Sequence, residues 1–176
     1  MLVFAAQKDA GIQCTGGQQP LLVYPSGSSD PKGVTLLGIP EEQPRAKVFS
    51  WPGEYNSAGM TLRGIGHTEG RQVSFVAVIN SVRCAFISSP LHEWTDHELE
   101  LLGDIAVLVV PAEKPKILQK IIDEVDPRVL VLVPAGGKMD PEVLSVCGAK
   151  TVDPVSEYKL KGALPAEGRE VVILKN

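Results

Sequence analysis

IAVLVVPAEKPKILQKIIDEVDPRVLVLVP, residues 105–134, decides the fold class. IAVLVVP (105–111) is a continuous apolar run of strand length, and in KPKILQKIIDEV (114–125) the residues Ile117, Leu118, Ile121, Ile122 and Val125 fall on one helical stripe. Asp126-Pro127 ends that helix, and VLVLVP (129–134) is a second apolar run. Strand, amphipathic helix and strand with short joints predict a βαβ unit whose crossover is right-handed and whose strands are parallel and buried.

Toward the N-terminus the chain is a series of short β-rich runs: 2–6, 11–14, 20–24, 34–37, 46–49, 59–65, 72–79 and 83–87. Turn chemistry separates them at Thr15-Gly16-Gly17, Pro25-Ser26-Gly27 and Asn80-Ser81. QVSFVAVI (72–79) is apolar at Val73, Phe75, Ala77 and Ile79, and also at Val76 and Val78, which predicts an interior strand covered on both faces. Thr95-Asp96-His97-Glu98 has the spacing of a capping box, so a short helix is expected to Leu102, stopped by Gly103. A third helix is expected from Asp140, with Pro141 at its first position, to Gly148, and a closing strand at 170–175. The expected organisation is a single α/β domain over 1–176.

Composition narrows the function classes. The net charge of −4 and pI near 5.4 give no basic field for phosphates, so nucleic acid is not an expected partner. No run of about 18 apolar residues exists, so no membrane span is expected. MLVFAAQKDAG lacks the basic start and the length of a signal peptide, which makes the cytoplasm the expected compartment. Cys14, Cys84 and Cys147 are odd in number and form no C-x-x-C pair, so they read as buried free thiols.

Trp51-Pro52-Gly53-Glu54-Tyr55-Asn56-Ser57-Ala58-Gly59-Met60, with Gly64-Ile65 after it, resembles the PGEY segment of small single-domain members of the metallo-β-lactamase superfamily. The resemblance continues in order through RCAFISSPLH (83–92), HELELLGDIAVLVVP (97–111) and VLVLVPAGGK (131–138), and includes an opening hairpin at the N-terminus. It implies a four-layer αββα sandwich, here reduced in size, of two mixed sheets face to face with helices outside. In active members one or two metal ions, usually zinc, activate a water at the sheet edges, a task suited to neutral imidazole and hard carboxylate ligands with one position left open.

The same resemblance locates where such ligands belong. The H-x-H-x-D-H motif falls at Gly38-Ile39-Pro40-Glu41-Glu42-Gln43-Pro44, where only Glu41 offers a carboxylate at a usable place, and the loop lacks the length for the helix that follows the motif in the family. Ser89 stands where the bridging aspartate is implied, and Gly136, within Ala135-Gly136-Gly137, where the last histidine is implied. His67 matches a ligand position and His92 the closing histidine of L-G-D-L-G-H, so a residual site of His67, His92 and Glu41 is the alternative to a site without metal.

Other patterns read as incidental. Ser88, His92 and Asp96 recur every four residues, but Pro90 interrupts any shared helix and no G-x-S-x-G elbow occurs. Pro134-Ala135-Gly136-Gly137-Lys138 lacks the first glycine and the Ser/Thr of a phosphate loop, although Gly-Gly near a helix start could offer amides to an anion. His97 reads as surface. The expectation is a degenerate, non-catalytic domain without a cofactor, acting as a structural or protein-interaction module, self-association included. One alternative is a metal-dependent hydrolase with an altered mononuclear zinc site. Another is a small-ligand or anion binder using the old cleft, with Trp51, Glu54, Tyr55, Ser89, Gly136 and Gly137 as its candidates. Read locally, SWPGEYNSAGM is a corner where the chain crosses between sheets, with Trp51 and Tyr55 as partly buried caps.

Overall fold

The structure, a computed structural model, describes residues 1–8, 11–27, 32–136 and 138–176. The first part of the chain forms β1 (Leu2–Ala6), β2 (Ile12–Thr15), β3 (Leu21–Val23), β4 (Val34–Leu36) and β5 (Val48–Phe49). Next come β6 (Gly53–Ser57), β7 (Met60–His67), β8 (Gln72–Ile79) and β9 (Val82–Phe86). Helix α1 (Asp96–Leu102), β10 (Val107–Ala112), α2 (Pro115–Val125), β11 (Val129–Pro134) and α3 (Pro141–Val146) follow, then β12 (Glu157–Leu160) and β13 (Glu170–Ile173). They assemble into two mixed sheets, ordered β12-β1-β2-β3-β4-β5 and β13-β11-β10-β9-β8-β7-β6.

The βαβ unit is present: β10 and β11 run parallel, with Val107 opposite Val129 and Pro111 opposite Val133. β8 lies between β7 and β9, as an interior strand must. Its residues Val73, Phe75, Ala77 and Ile79 enter a core shared with Leu2, Phe4, Leu21, Val34 and Leu36 of the first sheet. The opposite face of the second sheet, through Ile65, Val76, Leu108, Val110, Leu130 and Leu132, packs against Leu102 of α1, Leu118, Ile121 and Ile122 of α2, and Val143 of α3. All three described α-helices therefore cover the second sheet, and residues 37–47 between β4 and β5 carry no helix, the feature their length implies. The two-sheet sandwich is thus present in reduced form. No helix among the described residues is long and apolar enough to cross a membrane.

Local signals account for the ends. In α1 the Glu98 N–H donates to Thr95 Oγ1 at 3.2 Å and the Thr95 N–H donates to Glu98 Oε2 at 2.7 Å, completing the capping box. In α3 the Asp140 side chain accepts from the Glu142 N–H at 2.8 Å. The run at 46–49 shrinks to two strand residues because Lys47 has φ +58°, a left-handed conformation that interrupts an extended chain.

Ser50–Pro52 is the crossing from the first sheet to the second, since β5 belongs to one and β6 to the other. The segment read as a turn and corner continues into an edge strand, β6, antiparallel to β7. Trp51 Nε1 donates to the Glu41 carbonyl at 2.8 Å, Tyr55 Oη donates to the Trp51 carbonyl at 2.8 Å, and the Phe49 and Tyr55 rings stand 4.7 Å apart. Tyr55 is partly buried, whereas Trp51 is 54% exposed and caps nothing. A Cβ on Gly64 would stand 2.5 Å from the Trp51 carbonyl oxygen, and one on Gly66 would stand 2.7 Å from Pro52 Cγ. The crossing chain lies directly on β7, and glycine at these two places is what admits it. Gly64→Ala is therefore expected to destabilise the protein by about 1–3 kcal/mol, because a backbone carbonyl cannot rotate aside. Urea denaturation checks this: a midpoint unchanged from wild type would show that the corner does not rest on β7.

Candidate functional site

The ends of β9 and β11 bring Ser89 and Gly136 to one edge of the sandwich. Tyr24, just past β3, ties the sheets there: its hydroxyl donates to the Phe86 carbonyl at 2.6 Å and accepts from the Phe75 N–H at 3.2 Å. Burial raises its pKa well above the ordinary tyrosine value, so the phenol stays protonated and structural. Gly38 accepts from the Val73 N–H at 2.8 Å, and a Cβ there would stand 3.3 Å from Ser88 Cβ.

Beside these groups lies a cavity of about 500 Å³ whose lining includes Val23, Tyr24, Phe86, Ser89, Val109, Val133 and Gly136. Among the described residues lining it none is Asp, Glu, His or Cys, and Lys8 is the one charged side chain. Ser89 Oγ donates to Glu113 Oε1 at 2.9 Å, and the Leu91 N–H donates to the same oxygen at 2.7 Å. Hydroxyl, amide and aliphatic groups do not make a zinc site. The described lining beside Ser89 and Gly136 therefore supplies no imidazole, carboxyl or thiol side chain. Gly137 lies outside the described residues.

The remaining cleft candidates stand elsewhere. Trp51, Tyr55 and Glu41 line a separate hollow of about 250 Å³. There the Glu41 carboxylate accepts from Arg45 Nε at 3.0 Å. Glu54 is exposed on β6, paired with the Arg63 guanidinium, and lines neither hollow.

His67 and His92 are brought together, with ring centroids 4.4 Å apart. His67 ends β7 on the helix-covered face and is only 1% exposed. Its Nδ1 lies 2.9 Å from Glu98 Oε1 and its Nε2 lies 2.9 Å from Ser74 Oγ. Ser74 Oγ in turn accepts from the Ser88 N–H at 3.0 Å and lies 3.1 Å from Ser88 Oγ. Trp94 packs over His67 at 4.6 Å between centroids. The two ring nitrogens of His92 and the indole Nε1 of Trp94 are buried without a hydrogen-bond partner. The donor atoms of His67, His92 and Glu98 all lie within 4.8 Å of one another.

Burial lowers the His67 pKa, and this outweighs the raising effect of Glu98, so the imidazole is neutral at pH 7. Burial pushes Glu98 upward, but hydrogen bonds from His67 and the Thr95 amide prevail and hold its carboxyl below the usual value. A carboxylate only accepts, so Nδ1 carries the proton and donates to Glu98. The carboxylate in this cluster is Glu98 rather than Glu41. Sequence reasoning gives Glu98 a capping role alone, yet its Oε2 caps α1 while its Oε1 meets His67. Ser88 Oγ is taken up by Gln72 and Ser74, and His97 is exposed.

No family model and no curated protein sequence matches the chain. Solved structures do. A candidate zinc-dependent hydrolase of the metallo-β-lactamase superfamily from Thermotoga maritima superposes with a TM-score of 0.77 at 17% identity, covering 99% of each chain. The metallo-β-lactamase fold protein YhfI from Bacillus subtilis superposes with a TM-score of 0.62 at 11% identity, covering 99% of this chain and 96% of that one. Along essentially its whole length, the chain has the metallo-β-lactamase fold.

Proposed function

We propose that the chain is a non-hydrolytic protein of this fold, binding a small, largely apolar acid in the cavity at the sheet ends. The lining carries this reading: Ser89 and Gly136 border a space of about 500 Å³ that offers aliphatic and aromatic walls and, among the described residues, a single cationic side chain, Lys8. That volume falls within the roughly 300–1,000 Å³ of small-molecule sites. Zinc chemistry needs imidazole, carboxylate or thiolate donors, and Ser89 and Gly136 supply none. A cytoplasmic setting belongs to the same proposal, supported by three buried free thiols, of which burial pushes Cys147 up to about 11 and Cys14 up to about 12.

A second reading, a metal-dependent hydrolase, draws on the gathering of His67, His92 and Glu98. Against it, that cluster lies on the helix-covered face of the second sheet, under Trp94 and beside α1, and lines neither of the two hollows described above.

Screening small carboxylic acids by thermal shift is expected to find ligands that raise the melting temperature with or without chelator. A ligand at 100 times its dissociation constant adds about 2.7 kcal/mol. Val133→Phe, which fills the cavity from a partly buried lining position, is expected to abolish the shift. A shift that survives Val133→Phe would place the ligand elsewhere. With zinc added, hydrolysis of esters, lactones and phosphodiesters is expected to match zinc alone, and turnover abolished by His92→Ala would instead establish the second reading.

A further inference from the structure

The side-chain cluster between the end of β7, the 88–95 segment and α1 gathers more lone pairs and protons than it pairs. His92 brings two ring nitrogens and Trp94 one indole N–H, all buried and without a partner. Groups of this kind are costly to bury unless something binds them. Three of the donors around this space, one each from His67, His92 and Glu98, lie within 4.8 Å of one another.

We propose that His67, His92 and Glu98 bind one divalent transition cation, zinc being the test ion, as a structural staple joining α1 and the 88–95 segment to β7. Two imidazoles and one carboxylate select zinc and its neighbours over calcium or magnesium, which demand more oxygen ligands. The outer partner is also in place, because Ser74 Oγ sits 2.9 Å from His67 Nε2 and orients the ring.

The proton balance closes without loss of charge. Without metal, Nδ1–H of His67 donates to Glu98 and the Ser74 hydroxyl donates to Nε2. With metal on Nδ1, the ring proton resides on Nε2 and donates to Ser74 Oγ, whose own proton turns toward Ser88 Oγ, 3.1 Å away. His67 thus changes tautomer and keeps its net protonation, and Glu98 needs no deprotonation. Glu98 Oε2 continues to cap α1 throughout, so the metal and the helix end share one carboxylate.

None of the three residues lines the cavity, and the cavity ligand's binding is expected to be insensitive to chelator. The test uses the full chain stripped with chelator, then given zinc or cobalt(II) and desalted. The expected result is one retained equivalent, a visible cobalt band of low coordination number and a raised melting temperature. His92→Ala is expected to lower the affinity at least about a hundredfold, and Glu98→Gln, which preserves the cap acceptor, at least about tenfold. His97→Ala, an exposed neighbour, is expected to retain the full equivalent. Metal-free His92→Ala is expected to melt no lower than the metal-free parent, since it removes two unpaired buried nitrogens. Should it fail to fold, His92→Gln carries the same metal readout. No retained metal in the parent, or retention undiminished in both the His92 and Glu98 variants, would overturn the proposal.

Discussion

The second sheet is apolar on both faces, and the layers around it follow from that property. Val107, Val109, Val129 and Val131 face one way and Leu108, Val110, Leu130 and Leu132 the other, all buried. A parallel pair of this kind cannot turn a face to water. The first sheet covers one side through Phe4, Leu21 and Leu36, and the three helices cover the other through Leu102, Leu118, Ile122 and Val143. The first sheet buries its inner face and tolerates alternation, as in β12, where Leu160 is buried and Tyr158 packs inward while Glu157 and Lys159 face out. Both sheets come from one short chain, so the crossing at Ser50–Pro52 must hug β7, and Gly64 and Gly66 leave it that room.

Features set by neighbouring residues were legible in the sequence. The double-sided apolar runs, the stripe of α2 and the Thr95–Glu98 box each depend on a few adjacent side chains, and each appears at its expected place. Elements that depend on distant partners were not legible. EYKL in β12 has two apolar residues and becomes a strand because Leu2 to Ala5 lies waiting for it. GEYNS in β6 reads as a turn because Pro52-Gly53 announces one, yet its extended course is imposed by β7. At 46–49 the apolar pattern overstates the strand, since the positive φ of Lys47 leaves no trace in hydropathy.

The sites follow the same division. His67 and His92 stand out in any sequence with three histidines, but their carboxylate comes from α1, 31 residues from His67, where capping already explains it. The cavity is equally invisible beforehand, because its walls come from both sheets and only the assembled sandwich encloses it. Consecutive residues separate the two chemistries: Ser88 joins the chain of hydroxyls behind His67, whereas Ser89 lines the apolar cavity and binds Glu113. On this account, polar coordination chemistry lies on the helix-covered face of the second sheet, and the sheet ends hold a site for apolar surface.

The most direct test of that arrangement is anomalous scattering at the zinc edge from crystals of the full chain equilibrated with zinc. The account predicts a peak bounded by His67, His92 and Glu98 and no peak beside Ser89 and Gly136. A peak at the sheet ends, or the lack of one at the histidines, would contradict it.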